Sequence, residues 1–212
     1  MKFKILSLFI VTIIFVGCAT HKPLQQTTAH PKEHIESAKT NNTKPIPTKN
    51  NSVTNRTQKP VFKTEKEYDK YLIDYYSEVL KTPKSYIRNN IELYKFIDQW
   101  TGTPYKYGGS TMNGIDCSGL AKTLYDQVYH QQITRDGNSQ FKECDPIKKD
   151  ELMEGDLLFF KIGSRYITHV GIYLGNNKFF HASSKGVMVS DLNENYYKRY
   201  FFSGGRLKTM NK

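Results

Sequence analysis

One of the three cysteines, Cys117, follows a glycine-rich approach (Gly108-Gly109, then Gly114-Ile115-Asp116). It opens a stretch in which Leu120, Ala121, Leu124, Tyr125 and Val128 recur at helical spacing. A thiol at a helix N-terminus faces unpaired amide N–H groups and the positive end of the helix dipole. Both favour a thiolate, and the same amides can hold a developing oxyanion. A thiolate nucleophile needs a base, and the candidates outside the polar N-terminal segment are His130, His169 and His181. His130 falls at the far end of the nucleophile helix, where an imidazole suits the dipole. His169-Val170-Gly171-Ile172-Tyr173-Leu174 and Lys178-Phe179-Phe180-His181-Ala182-Ser183 read as strands on either side of a Gly175-Asn176-Asn177 turn. Register decides the chemistry. A loop of residues 175–177 sets Leu174 against Lys178 and puts both histidines on one sheet face, as diagonal neighbours about 7–8 Å apart. A two-residue loop at 176–177 sends them to opposite faces. The catalytic reading, with His169 taking the Cys117 proton and His181 orienting the His169 ring, therefore requires an odd-length loop.

The elements that must carry these residues are legible around them. Leu157-Leu158-Phe159-Phe160 reads as a buried strand after the Gly155-Asp156 turn. Upstream, Thr64-Glu65-Lys66-Glu67 has the form of a capping box, and Tyr68, Leu72, Tyr75, Tyr76 and Val79 continue at helical spacing until Pro83. A second helical stretch carries Ile87, Ile91, Tyr94, Ile97 and Trp100 and ends at Gly102-Thr103-Pro104. Cys144, beside a Cys144-Asp145-Pro146 turn, reads as a bystander, although in an oxidising compartment it could pair with Cys117. Zinc held by Cys117, Cys144, His169 and His181 lacks the usual CxxC or HxxxH spacing.

The first residues are an address. Lys2 and Lys4 precede an apolar run from Ile5 to Val16, too short to span a bilayer comfortably and suited to the core of a secretory signal. Phe15-Val16-Gly17-Cys18-Ala19 resembles a bacterial lipobox, with Phe15 where Leu is usual. That resemblance implies cleavage before Cys18 and its acylation, and Ala19 implies sorting to the outer membrane. Each buried acyl CH₂ adds about 0.8 kcal/mol of anchoring. The chain carries 31 Lys+Arg against 20 Asp+Glu, but the excess sits mainly at the N-terminus. Residues 19–63 hold eight basic and two acidic residues, and residues 64–212 hold 21 and 18. A nucleic-acid-binding face is not indicated. Residues 19–63 contain no glycine and one aromatic, Phe62, and read as a disordered tether. The expected organisation is a signal peptide at 1–17 and a lipidated Cys18 with a basic linker at 18–63. A helical extension at 64–86 and a catalytic domain at 87–212 complete it.

The motifs GTPYKYGGSTMNGIDCSGL, THVGIYLG and FFHAS, in this order, resemble the NlpC family of papain-like cell-wall cysteine peptidases. The spacing agrees, with 52 residues from Cys117 to His169 and 12 from His169 to His181. The resemblance covers about residues 90–207. It implies an α+β papain-like fold, with helices packed on a central antiparallel sheet, the nucleophile at a helix N-terminus and both histidines on the sheet. It implies Cys117 as nucleophile, His169 as base and His181 as orienting residue. Tyr105 would line the active site, and Asp116 and Ser118 the substrate cleft. Arg135 and Gln140 keep the family's Arg-x-x-x-x-Gln spacing at the cleft rim, with Asp136-Gly137-Asn138 departing from the usual Ser/Thr-rich stretch between them. The implied activity is a lipid-anchored endopeptidase cutting amide bonds of peptidoglycan stem peptides beside a D-amino acid or diaminopimelate, with no cofactor. A catalytically silent wall-binding lipoprotein, or an amidase or acyltransferase on the same fold, remains open.

Overall fold

The computed structural model describes residues 60–208, so the lipobox at Cys18 and the tether up to residue 59 lie outside the described residues. The tether's last residues are ordered, with Phe62 packing on Tyr68 and Tyr71 and the Lys63 N–H donating to Glu67. Six helices and eight strands follow in chain order: α1 (Glu65–Leu80), α2 (Lys84–Asn89), α3 (Ile91–Trp100), β1 (Ser110–Thr111), β2 (Gly114–Ile115), α4 (Cys117–Val128), α5 (Gly137–Glu143), β3 (Cys144–Ile147), β4 (Leu157–Phe160), β5 (His169–Gly175), β6 (Lys178–Ser183), β7 (Gly186–Asp191), α6 (Asn195–Tyr200) and β8 (Phe201–Leu207). The capping box forms as the sequence implies: Thr64 Oγ1 accepts from the Glu67 N–H at 3.2 Å. The second helical stretch is two helices, not one. Asn90, at φ −125° and ψ 38°, breaks it, and its side chain donates to Glu154.

Six strands form one antiparallel sheet in the order β3-β8-β4-β5-β6-β7. One face carries Leu157, Phe159, Val170, Ile172, Phe180 and Ala182 against the helical layer. That layer supplies Leu72, Tyr76 and Leu80 of α1, Leu93, Tyr94 and Ile97 of α3, and Leu120, Leu124 and Tyr125 of α4. Helix α1 therefore shares the core of the sheet domain. The other face carries a smaller aromatic cluster of Leu158, Phe160, Tyr173, Phe179 and Leu192, with Tyr197 of α6 packed on it. Two strands escape sequence patterning because their residues are poor local formers. Strand β8 contains Gly204-Gly205, and β3 contains Pro146. A Cβ at Gly204 would lie 2.5 Å from Leu152 Cδ2, and one at Gly205 2.6 Å from Phe159 Cε2, so packing selects glycine where propensity disfavours it.

The β5–β6 hairpin departs from the expected loop and keeps the expected faces. Gly175 pairs with Lys178, so the turn is the two residues Asn176 and Asn177, both at positive φ (46° and 61°). Farther in, Tyr173 pairs with Phe179 and Ile172 with Phe180, with a bulge between Tyr173 and Gly175. The extra residue restores the parity that a two-residue turn alone would have broken. His169 and His181 thus share a face, the one carrying Phe160 and Phe179.

Candidate active site

Helix α4 begins at Cys117, and Asp116 is its N-cap, accepting the Gly119 N–H on Oδ1 at 2.7 Å. The Cys117 sulfur feels the backbone N–H of Val170, the residue after His169, and those of Ser118 and Cys117 itself, each of which favours the thiolate. The nucleophile candidate therefore sits where β5 begins. His169 Nε2 lies 2.8 Å from His181 Nδ1, and His181 Nε2 lies 3.0 Å from Ser190 Oγ and 3.4 Å from the Tyr197 hydroxyl. Phe160 packs on His169 and Phe179 on His181. Because Nε2 of His169 is engaged with His181, Nδ1 is the ring nitrogen left for the thiol.

Burial dominates the electrostatics. Loss of solvent pushes the Cys117 thiol up to about 11. The N–H of Val170 pulls it back, the Asp116 charge adds to the rise, and the N–H groups of Ser118 and Cys117 lower it further. The helix N-terminus was expected to depress this thiol. It does not prevail, because desolvation of the buried thiol outweighs the amides, and the capping carboxylate of Asp116 adds its own negative charge. Burial pulls His169 down to about 4, and burial together with the neighbouring His169 holds His181 well below its ordinary value. The resting pair is therefore a neutral thiol and a neutral imidazole. Desolvation also pushes the Tyr105 hydroxyl up to about 12, so it stays a proton donor near the Cys117 sulfur. Tyr105 is placed there by its flanking residues, since the Ile115 N–H donates to the Pro104 carbonyl (3.1 Å) and the Lys106 N–H to that of Ile115 (3.0 Å).

The remaining sequence candidates gather behind the nucleophile rather than across an open cleft. Asp116 is 5% exposed and Gln140 is fully buried. Arg135 grips Asp116 with two contacts, Nη1 to Oδ1 (2.7 Å) and Nη2 to Oδ2 (2.8 Å). It also donates to Ser118 Oγ (3.0 Å) and to the Gly109 carbonyl (2.8 Å). The Gly108 N–H donates to Asp116 Oδ2 at 2.7 Å. Gln140 Nε2 donates to the carbonyls of Ser118 and Thr134, each at 2.9 Å. These contacts clamp the first turn of α4 to the loop before it, so the Asp116 carboxylate, the Arg135 guanidinium and the Gln140 amide nitrogen, expected to line or rim the cleft, are engaged internally. Gly119 completes the clamp, since a Cβ there would lie 2.8 Å from both Arg135 Nη2 and the Gly109 carbonyl oxygen.

Burial would raise the Asp116 carboxyl, but Arg135 and the amides of Gly119 and Gly108 hold it below the usual range. Arg135→Ala leaves that carboxylate buried and unpaired. Arg135 itself is partly exposed, so we expect a loss of about 2–3 kcal/mol, read as a lower urea midpoint at unchanged slope. A loss below about 0.5 kcal/mol would mean the clamp is not structural.

Two features lay beyond the sequence reading. Asp136-Gly137-Asn138 is the start of α5: Asp136 caps it, accepting the Ser139 N–H at 3.0 Å. Asn138 then exchanges two hydrogen bonds with the backbone of Ile167, Nδ2 to the carbonyl (3.2 Å) and Ile167 N–H to Oδ1 (2.9 Å). The segment thereby fixes the approach to His169. Ser190, on β7, was also not singled out. Its signal was the alternation Val187, Val189 against Met188, Ser190 beside the His181 strand. Cys144 and Cys117 are both free thiols, and among the described residues no three His, Cys, Asp or Glu side chains group as a metal site.

A buried thiol at a helix N-terminus, with a hydrogen-bonded histidine pair on the antiparallel sheet it packs with, is the arrangement of a papain-like α+β cysteine hydrolase. Residues 102–206 match the model of the NlpC/P60 family. The chain is 45% identical over 113 residues to the probable endopeptidase NlpC of Escherichia coli K12, an alignment covering 52% of this chain and 73% of that protein. It is 38% identical over 125 residues to the E. coli K12 murein DD-endopeptidase MepS/murein LD-carboxypeptidase, covering 57% of this chain and 66% of that one. A solved lipoprotein-like NLP/P60 protein from Staphylococcus aureus superposes with a TM-score of 0.51 at 30% identity, covering 54% of this chain and 40% of that one. The chain belongs to the NlpC/P60 family.

Proposed function

We propose that this chain is a peptidoglycan endopeptidase, anchored in the bacterial cell envelope through lipidated Cys18, that cleaves amide bonds in murein stem peptides or their cross-links. The observations that carry the chemistry are the buried thiol at the start of α4, influenced by the backbone N–H of Val170 next to His169, and the His169–His181 contact of 2.8 Å. The anchoring rests on the lipobox pattern at residues 15–19, and the outer-membrane placement, facing the periplasm, on Ala19.

In this reading the Cys117 proton passes to His169 Nδ1 as the sulfur attacks the scissile carbonyl carbon. The Cys117 backbone N–H and the Tyr105 hydroxyl hold the oxyanion. His169, now an imidazolium, returns the proton to the leaving amine, and a water deprotonated by His169 releases the acyl group from sulfur. The clamp of Asp116, Arg135 and Gln140 keeps the first turn of α4 in register for this attack.

Digestion of purified peptidoglycan by the protein, with a thiol reductant present, tests the function. Mass spectrometry should find new amino and carboxyl termini within the stem peptides and intact glycan strands. Fragments split in the glycan, or no fragments from several wall chemistries, would contradict the reading.

A further inference from the structure

The histidine pair is not the end of the hydrogen-bonded chain. Ser190 lies on β7, where it pairs with Phe179 of β6, while His181 pairs with Met188. Ser190 is therefore a same-face diagonal neighbour of His181. It is 7% exposed, and its hydroxyl oxygen is 3.0 Å from His181 Nε2. The Tyr197 hydroxyl approaches the same nitrogen from α6 at 3.4 Å, with its ring edge-on to the imidazole at 5.3 Å between centroids. His181 itself is 1% exposed, so no water competes freely for that nitrogen.

Proton placement follows by elimination. A neutral His169 that accepts from the thiol on Nδ1 carries its own proton on Nε2, and that N–H donates to His181 Nδ1. His181 Nδ1 must then be bare, with its proton on Nε2. When His169 gains the second proton the demand is stricter, because both its nitrogens are then donors. The opposite tautomer of His181 would donate from Nδ1 to His169 Nε2. That forces the His169 proton onto Nδ1 and leaves the thiol without an acceptor. The choice between the two is made at His181 Nε2, and the oxygens within reach there are those of Ser190 and Tyr197.

We propose that Ser190, seconded by the Tyr197 hydroxyl, is a positioning residue that accepts the His181 Nε2–H, fixes that tautomer and so keeps the lone pair of His169 on Nδ1 for Cys117. The inference deepens the proposed function and rests on its assignment of Cys117 and His169. It extends the expected three-residue relay to Cys117–His169–His181–Ser190.

The test uses the full-length protein labelled with ¹⁵N-histidine, compared with Ser190→Ala, Ser190→Thr and Tyr197→Phe. Long-range ¹H–¹⁵N spectra should show His181 protonated on Nε2 and bare on Nδ1, and His169 protonated on Nε2. In Ser190→Ala the His181 signals should move toward a mixture of tautomers. Peptidoglycan turnover should then fall about tenfold in kcat with KM within about twofold. Ser190→Thr, which keeps the hydroxyl and suits a strand, should restore both readouts, and Tyr197→Phe should cost less than Ser190→Ala. A wild-type His181 protonated on Nδ1 would overturn the inference whatever the variants do. So would a folded Ser190→Ala protein with unchanged tautomers and kcat. Wild type with the expected tautomers but no hydrolysis would uphold the tautomer assignment and sink the functional reading alone.

Discussion

Cys117→Ala should lower peptidoglycan hydrolysis by at least about 10⁴-fold and leave the fold intact, because the variant loses the attacking atom and little else. Cys117 is 8% exposed at the first position of α4. Its backbone geometry is set by the Asp116 cap and the Arg135 clamp rather than by the sulfur, and alanine is the best helix former. Cys117→Ser should be nearly as inactive. A hydroxyl is far less acidic than a thiol, and a half-buried imidazole drawn down to about 4 is too weak a base to activate it. Cys144→Ala is the control. That sulfur sits on β3, 3.3 Å from where a Cβ on Gly205 would stand, in the core and away from β5. Its loss should cost about 1 kcal/mol of stability and leave activity within about threefold. Initial rates on purified peptidoglycan, with thermal melts of each variant, make the comparison. A folded Cys117→Ala protein that still releases stem-peptide fragments would remove Cys117 from the reaction.

The chain shows which parts of such a site a sequence can carry. Cys117 and the two histidines were legible because each sits in a pattern with a local physical cause. A capped helix start fixes the first, and two apolar strands around an Asn-Asn turn fix the others. From the sequence, a shared face for the histidines requires an odd-length loop. The structure reaches it by an even turn plus a bulge, two solutions with the same parity that no composition of Gly175-Asn176-Asn177 distinguishes. The clamp was less legible. Asp116, Arg135 and Gln140 stood out by motif, but motif does not say which way a side chain faces. Nothing local says that Arg135 folds back 19 residues to grip the cap of α4. Ser190 was invisible for a related reason. Serine is common at strand positions, and its partner His181 is brought to it only by the β6–β7 register. Strands β3 and β8 were missed because Pro146, Gly204 and Gly205 answer to neighbours distant in sequence, which override β propensity.

His169→Ala should reduce kcat/KM by about 10³–10⁴-fold, and it should also change how stability responds to acid. The kinetic loss follows from the neutral resting pair. With the thiol pushed up to about 11, almost no thiolate exists at neutral pH unless His169 accepts the proton during attack. In wild type His169 can accept at any pH above its own value near 4, so activity should persist to about pH 5 instead of fading near 6.5, the ordinary imidazole value. The thermodynamic effect has the same origin. The folded-state value lies below the unfolded one, so as pH falls from about 7 toward 4 the unfolded chain takes up a proton that the folded chain refuses. Stability from this residue is complete above about pH 6.5 and is lost progressively toward pH 4. The full shift from 6.5 to about 4 corresponds to about 3 kcal/mol, and the solvent that a half-buried His169 retains reduces this to about 2. Urea unfolding of wild type and His169→Ala at pH 7.5 and at pH 4.5 isolates the contribution. The wild-type loss between the two pH values should exceed that of the variant by about 2 kcal/mol, whatever the variant loses uniformly through its cavity. Equal losses in the two proteins would show that His169 titrates as an ordinary exposed imidazole. The burial that makes it a neutral acceptor beside Cys117 would then be absent, and with it the reason for activity at pH 5.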